Sequence, residues 1–222
     1  MNNDFTTTYS DENGSRIVSV SPEDSRLALK NDFDEILRNY DPNVVTIERC
    51  PTGPGEALHL KVTVHAPSHY LVSATDTDPK PCDYMTAHVI CYPGYPLKSI
   101  RAYYMSNYRL ASPNVFSSGV ACIDTWVPFT SSLVTVVEKL VHDMIHDPQV
   151  TRYDSVACHS MVIWHRSHAQ AGEFPTIPPK SLYAIQTTPL PPRRNRAQSN
   201  MLPPRRNRAQ SDTLPSLPRR TH

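Results

Sequence analysis

The chain has 222 residues, 22 basic against 21 acidic side chains and a formal charge of +1. That length suits one mid-sized domain, or one domain with a tail. Its five cysteines, Cys50, Cys82, Cys91, Cys122 and Cys158, are an odd number with no CxxC pair, which argues against a disulfide scaffold and against a zinc site. No run reaches the roughly 18 apolar residues of a membrane span. Met1 to Arg16 lacks the apolar centre of a signal peptide, so a cytoplasmic location is expected. The charge is unevenly spread: Gln186 to His222 holds eight Arg and one acid, Asp212, which leaves 14 basic and 20 acidic residues before it. A body of about −6 and a tail of about +7 is the pattern of a folded domain with an interaction arm.

In chain order, residues 1–20 are rich in Ser, Thr, Asn and Asp and read as a flexible N-terminus. Ser21-Pro22-Glu23-Asp24 is a helix start, with Ser21 as cap, Pro22 at the first helical position and Asp24 closing an imperfect capping box. Leu29, Phe33, Ile36 and Leu37 follow at helical spacing and place a helix over 22–39. From Asn43 the period changes to two. Val45 and Ile47 alternate with polar residues, Cys50-Pro-Thr-Gly-Pro-Gly supplies a turn, and Leu58, Leu60, Val62 and Val64 alternate with His59, Lys61, Thr63 and His65. Ser68 to Cys82 reads as a connecting loop. Tyr84–Tyr92 and Ser99–Met105 are two further strands around Pro93-Gly-Tyr-Pro96, which completes a four-stranded antiparallel meander.

Ser106 to Pro128 has little periodicity and is too long for a simple turn, a length that often marks function. A strongly apolar helix follows: Leu133, Val136, Val137, Leu140, Val141, Met144 and Ile145 form one stripe, Thr130 or Ser131 can cap it, and Asp147-Pro148 ends it. A second helix is expected over about 154–167, with Val156, Ala157, Met161 and Trp164 inward. From Pro175 the chain becomes proline- and arginine-rich. Leu190-Pro-Pro-Arg-Arg-Asn-Arg-Ala-Gln-Ser199 recurs unchanged as Leu202 to Ser211, and Leu217-Pro-Arg-Arg220 is a degenerate third copy. Such a composition builds no core and reads as a disordered tail with a polyproline bias. The domains expected are therefore a flexible segment 1–20, a folded body 21–174 and a tail 175–222.

The long loop contains Ser112-Pro113-Asn114, then Ser118-Gly119-Val-Ala-Cys122-Ile-Asp124, then Trp126-Val127-Pro128. This segment resembles the active-site loop of ubiquitin-conjugating enzymes, whose His-Pro-Asn places the Asn eight residues before the catalytic cysteine. Asn114 and Cys122 have that spacing, and Tyr95-Pro96 is similar to the family's Tyr-Pro after its third strand. The resemblance covers roughly 22–168. It implies an α+β, UBC-like fold: N-terminal helix, antiparallel meander, active-site loop, C-terminal helices. It also implies a transferase that accepts a ubiquitin-like protein from an activating enzyme as a thioester on Cys122 and passes it to a lysine amine, without cofactor or metal. The chain departs from the family at four points. Ser112 stands for the usual His, the segment from Cys122 to Trp126 is about four residues shorter, the acidic residue after the second helix is displaced, and no last helix follows Ala169. Short forms of this kind resemble the family's bacterial relatives.

The residue types suit the chemistry. A carrier needs a thiol, because sulfur is a nucleophile as thiolate and a good leaving group. Attack by the amine builds an oxyanion, which an amide donor such as Asn114 can stabilise by roughly 3–4 kcal/mol. Gly119 lets the backbone turn tightly beside the thiol. Asp154 is the candidate proton acceptor, with helix capping as its alternative, and Asn114 could alternatively stabilise a turn. The other four cysteines read as structural. His142 and His146, at i and i+4, read as a solvated helix face rather than a metal site. The rival function is a non-catalytic UBC-fold adaptor that binds ubiquitin-like proteins, with a basic proline-rich tail that binds partners. In that tail, Pro189-Leu-Pro-Pro192-Arg-Arg194 and Pro215-Ser-Leu-Pro218-Arg-Arg220 match PxxPxR, which a Src-homology-3 groove reads. The eight Arg could instead contact phosphates of a nucleic acid or membrane, though without aromatic residues for base stacking. A ligase-type partner is a further candidate.

Overall fold

The computed structural model describes residues 4–11, 14–104, 108–123 and 126–184. The Arg-rich repeats and the PxxPxR strings lie outside them, as do Asp124 and Thr125 of the loop motif. Within them the chain is an α+β fold in the expected order, with two additions.

The first addition is N-terminal. Strands β1 (Phe5–Asp11) and β2 (Gly14–Val20) pair antiparallel, with Phe5 across from Val20, where the composition suggested a flexible segment. The Phe5 ring sits against Gly94, so close that a Cβ there would meet it at 3.0 Å. Helix α1 (Pro22–Asn39) has the expected bounds. Ser21 Oγ accepts from Asp24 N at 3.1 Å, but the Asp24 carboxylate takes the Ser21 hydroxyl rather than a backbone amide, which leaves the capping box half closed. Leu29, Phe33 and Ile36 are buried; Leu37 is half exposed and stands outside the stripe.

The main sheet is the expected meander: β3 (Val45–Arg49), β4 (Leu58–Val64), β7 (Met85–Cys91) and β8 (Arg101–Tyr104), neighbours in that order and antiparallel throughout. Alternation fixes its register, because a slip of one residue would expose the whole apolar set. Leu58, Leu60, Val62 and Val64 all face the core. The second addition lies in 68–82, where a loop was expected. Strand β5 (Ser68–Leu71) pairs with β6 (Lys80–Cys82) on one side and with β9 (Arg109–Leu110) on the other. Two of these strands have two or three residues and one contains Pro81, too little for a period to register in sequence.

Helix α2 (Leu133–Met144) packs its stripe on β4, β7 and α1. Its cap is Ser132, one residue after the expected pair, in a reciprocal box with Thr135. It ends where His146 turns left-handed at φ 58°, so that Asp147 N reaches back to His142 O at 3.0 Å. His142 and His146 are both buried rather than on a solvated face. His142 Nδ1 meets Asp147 Oδ2 at 2.7 Å, and its Nε2 meets the Tyr183 hydroxyl at 2.8 Å. Helix α3 (Ser160–Gln170) begins six residues later than expected, so Asp154 caps nothing, and Met161 is its buried anchor. The packed chain then runs past 174. Phe174 and Leu182 are buried, a short 3-10 turn spans Pro179–Leu182, and Tyr183 stacks on Tyr40 at 5.6 Å. The body therefore extends ten residues beyond the boundary read from composition. None of the described helices is long and apolar enough to cross a membrane.

Candidate active site

The loop after β8 folds into a tight hairpin. Gly119 N donates to Phe116 O at 2.8 Å, Phe116 N to Val120 O at 2.9 Å, and Cys122 N to Asn114 O at 2.8 Å, with Val115 bridged to Ala121. The eight-residue spacing of Asn114 and Cys122 is thus the register of a hairpin, which sets the two directly across from each other on one face. Gly119 makes the reversal possible: its φ is +82°, and a Cβ there would meet Tyr104 O at 3.2 Å. The hairpin is sewn to β8 through Tyr104 N to Gly119 O at 2.9 Å and Ala121 N to Ala102 O at 3.0 Å. Cys122 therefore leaves the core sheet on a braced arm, and its residue is partly exposed.

Ser112 organises the turn that leads into the hairpin. Its hydroxyl accepts from Asn114 N at 3.1 Å and it is buried. Asn114, 1% exposed, points its carboxamide at the segment before α3. Nδ2 donates to Arg152 O at 2.9 Å and Oδ1 accepts from Arg152 N at 2.9 Å. Pro113 O accepts from both Ala157 N and Cys158 N, at 2.8 and 2.9 Å. The Cys122 hairpin and residues 152–158 are in this way one unit.

No protein-family model matches the chain, and no curated protein does. Among solved structures, the fold is similar to S. cerevisiae Ubc12 (13% identity, TM-score 0.43), over 74% of this chain and 87% of that one. It is also similar to human ubiquitin-conjugating enzyme E2 G1 (19% identity, TM-score 0.39), over 58% of this chain and 99% of that one.

Asp154 lies two residues from the Asn114 anchor and is exposed, with its carboxylate 3.2 Å from the Arg152 guanidinium. The hydrogen bond from Arg152 holds its pKa below the ordinary carboxylate value. Trp126 Nε1 donates to Pro96 O at 2.9 Å and its ring lies 5.9 Å from Tyr95, so this pair ties the far end of the loop to the turn after β7. The Tyr95 hydroxyl bonds the buried Asp32 of α1 and accepts from Leu133 N at 2.8 Å. This places a carboxylate at the start of α2, where the helix dipole favours it.

The remaining cysteines are not equivalent. Burial pushes the Cys91 thiol up to about 12 and raises that of Cys82. Cys158 is lowered despite its burial, by the Ser160 hydroxyl and by Arg109, whose Nη1 lies 3.5 Å from its sulfur. Arg109 is itself buried, with its other donors on the carbonyls of Ser73, Ala74 and Asp76. Neither Arg109 nor the Arg152 backbone stands out in sequence. A buried arginine is recognised only by the carbonyls around it, and Arg152 acts through groups every residue has.

Proposed function

We propose that the body is a ubiquitin-conjugating-type transferase with Cys122 as the acyl carrier. The observation that carries this is the hairpin pairing of Asn114 with Cys122, which leaves the cysteine partly exposed at the end of an arm braced by Gly119, Ser112 and the Arg152 backbone. In the charging step, the Cys122 thiolate attacks the carbonyl carbon of the activating enzyme's thioester and that enzyme's thiolate leaves. In the transfer step, a lysine amine attacks the new thioester and loses its proton, and the Cys122 thiolate leaves. ATP is consumed by the activating enzyme. Thiol exchange conserves the thioester, so what charging asks of Cys122 is an accessible sulfur.

Asn114 Nδ2 carries two protons, and the bond to Arg152 uses one. The second is the candidate donor to the oxyanion, while the first fixes the hairpin. Asp154, held ionised by Arg152, is suited to attract the incoming ammonium and is a weak base for it at neutral pH.

The full chain, incubated with an activating enzyme, ATP and candidate ubiquitin-like proteins, should yield an adduct that disappears on reduction. Cys122→Ser should yield in its place an ester that survives thiols and is cleaved by base. A reducible band that persists in Cys122→Ser would remove Cys122 from the mechanism. Saturable binding of a ubiquitin-like protein with no adduct in the wild type would establish the non-catalytic adaptor instead.

A further inference from the structure

The outer face of the main sheet carries a cluster of metal-ligating side chains remote in sequence from the Cys122 loop. The alternation that sends Leu58 and Leu60 into the core turns His59 outward on β4. On β7, His88 lies between the buried Ala87 and Val89 and across from Lys61, which makes it the diagonal neighbour of His59. Cys50 follows β3 and donates its N–H to His59 O at 2.9 Å, so it lies across from that histidine. Three adjacent strands thus deliver a thiol and two imidazoles to one place, with the Cys50 sulfur and one ring nitrogen from each histidine all within 4.8 Å of one another.

We propose that Cys50, His59 and His88 bind one zinc-type divalent ion. A tetrahedral site with bonds of about 2.0–2.3 Å sets its donors about 3.3–3.7 Å apart. Here His59 Nε2 and His88 Nδ1 are 2.9 Å apart and the wider limit is 4.8 Å, so side-chain rotation brings all three into range while the ladder stays fixed. A thiolate with two imidazoles is the donor set preferred by zinc over calcium or magnesium, and three protein donors leave a fourth position for water. A hydrogen bond between two imidazoles would account for His59 and His88 alone. It would not account for the thiol across the ladder; beside it Glu56, which accepts from Gly53 N at 2.8 Å, holds its carboxylate 3.7 Å from the other nitrogen of His59. An acid at that place favours the tautomer protonated at Nδ1 and leaves the Nε2 lone pair for an ion, and a small ring rotation would turn this contact into the usual outer support of a ligating histidine. The Tyr103 ring stacks on His88 at 5.3 Å and 12°, which orients that imidazole and leaves the adjustment to the Cys50 and His59 side chains. Lys61, across from His88, is the adjacent cation, and its ammonium is paired with Glu48 at 3.0 Å. The spacing 50, 59, 88 is set by the register of a sheet and has no local signature, so the absence of CxxC said nothing about it.

The full chain should be titrated with cobalt(II) as the spectroscopic stand-in and then with zinc. About one equivalent should give a thiolate-to-cobalt charge-transfer band, displaced by zinc, and zinc should raise the melting temperature. Cys50→Ser should abolish the band, and His88→Gln should weaken binding at least tenfold. Glu56→Gln should weaken it roughly tenfold as an outer-support change. Cys122→Ser and Cys158→Ser should leave it intact. The chain's far-ultraviolet circular dichroism guards against misfolding of Cys50→Ser, and His88→Gln tests the site independently. No band in the wild type, or a band that survives Cys50→Ser and His88→Gln, would overturn the proposal.

Discussion

Asn114 joins two segments 38 residues apart through both polar atoms of its side chain, and it does so from within the core. Replacing it by Ala removes the donor to Arg152 O and the acceptor for Arg152 N together. Withdrawing buried hydrogen-bond partners costs about 1–3 kcal/mol, which for a body of this size is a fall of roughly 6 °C in melting temperature. Asn114→Asp keeps the acceptor but sets a buried carboxylate against Arg152 O, so it should cost at least as much. If both variants melted with the wild type, the braced-hairpin account would fail. Read as an oxyanion donor, Asn114 should also slow transfer to lysine in the charged Asp variant more than it slows charging. A purely structural role would lower both together.

The meeting of β5, the end of α2 and α3 is a cluster of rings in which burial disfavours the charged form of His69, His146 and His165. His69, His146, His165 and His168 surround Phe174 and Trp164, with His146 4.4 Å from Phe174 and 5.6 Å from His165. Burial, then repulsion from His168, holds His165 at about 4, and burial holds His146 well below the ordinary histidine value. The network fixes the tautomer of His165. Thr151 Oγ1 donates to Asp147 O and so accepts from Nε2 at 3.4 Å, while Tyr153 donates to Nδ1 at 2.8 Å. In the unfolded chain His146 and His165 take a proton near pH 6.5; in the fold they do not until much lower. Between the two the unfolded state binds more protons, so this stability is complete above about pH 6.5 and is lost as the pH falls. His165 alone should contribute a loss of about 2 kcal/mol between pH 6.5 and 5, above the range where carboxylates titrate. Urea midpoints measured across that interval should fall, and a flat midpoint would contradict the buried-neutral assignment. This element was illegible in sequence for a specific reason. His142 and His146 are one helical turn apart beside an apolar stripe, which looks like a wet face. What covers His142 is Tyr183, beyond the point where composition placed the end of the domain, and what covers His146 is Trp164, His165 and Phe174, a helix away in sequence. By contrast α1, the meander and α2 were legible, because each carries a repeated period. The Asn114–Cys122 spacing was legible because a hairpin register is a count of residues. The cluster of Cys50, His59 and His88 has neither.

The extent of the body is decided by what its last described residues cover. Leu182 has no exposed surface, and its carbonyl accepts from Asp41 N at 3.0 Å, directly after α1. Ala184 N donates to Asn39 O at 3.0 Å, Thr176 N to Ile145 O at 2.9 Å, and the Tyr183 hydroxyl closes over His142. These residues seal the end of α1 and the end of α2, the two helices that carry the core stripe. A proline-rich segment can do this because prolines suit a chain that packs side chains without joining a sheet. Burying Leu182 alone accounts for roughly 2–3 kcal/mol, and the polar groups it covers add the cost of leaving donors without partners. A chain ending at Ala184 should therefore keep the thermal midpoint of the full protein to within about 2 °C. A chain ending at Phe174 should lose at least about 4 kcal/mol, melting roughly 10 °C lower or failing to fold. Differential scanning calorimetry on the two truncations separates the boundaries. Equal midpoints would mean that residues 175–184 lie on the body without stabilising it, and the composition-based end of the domain would then be the right one.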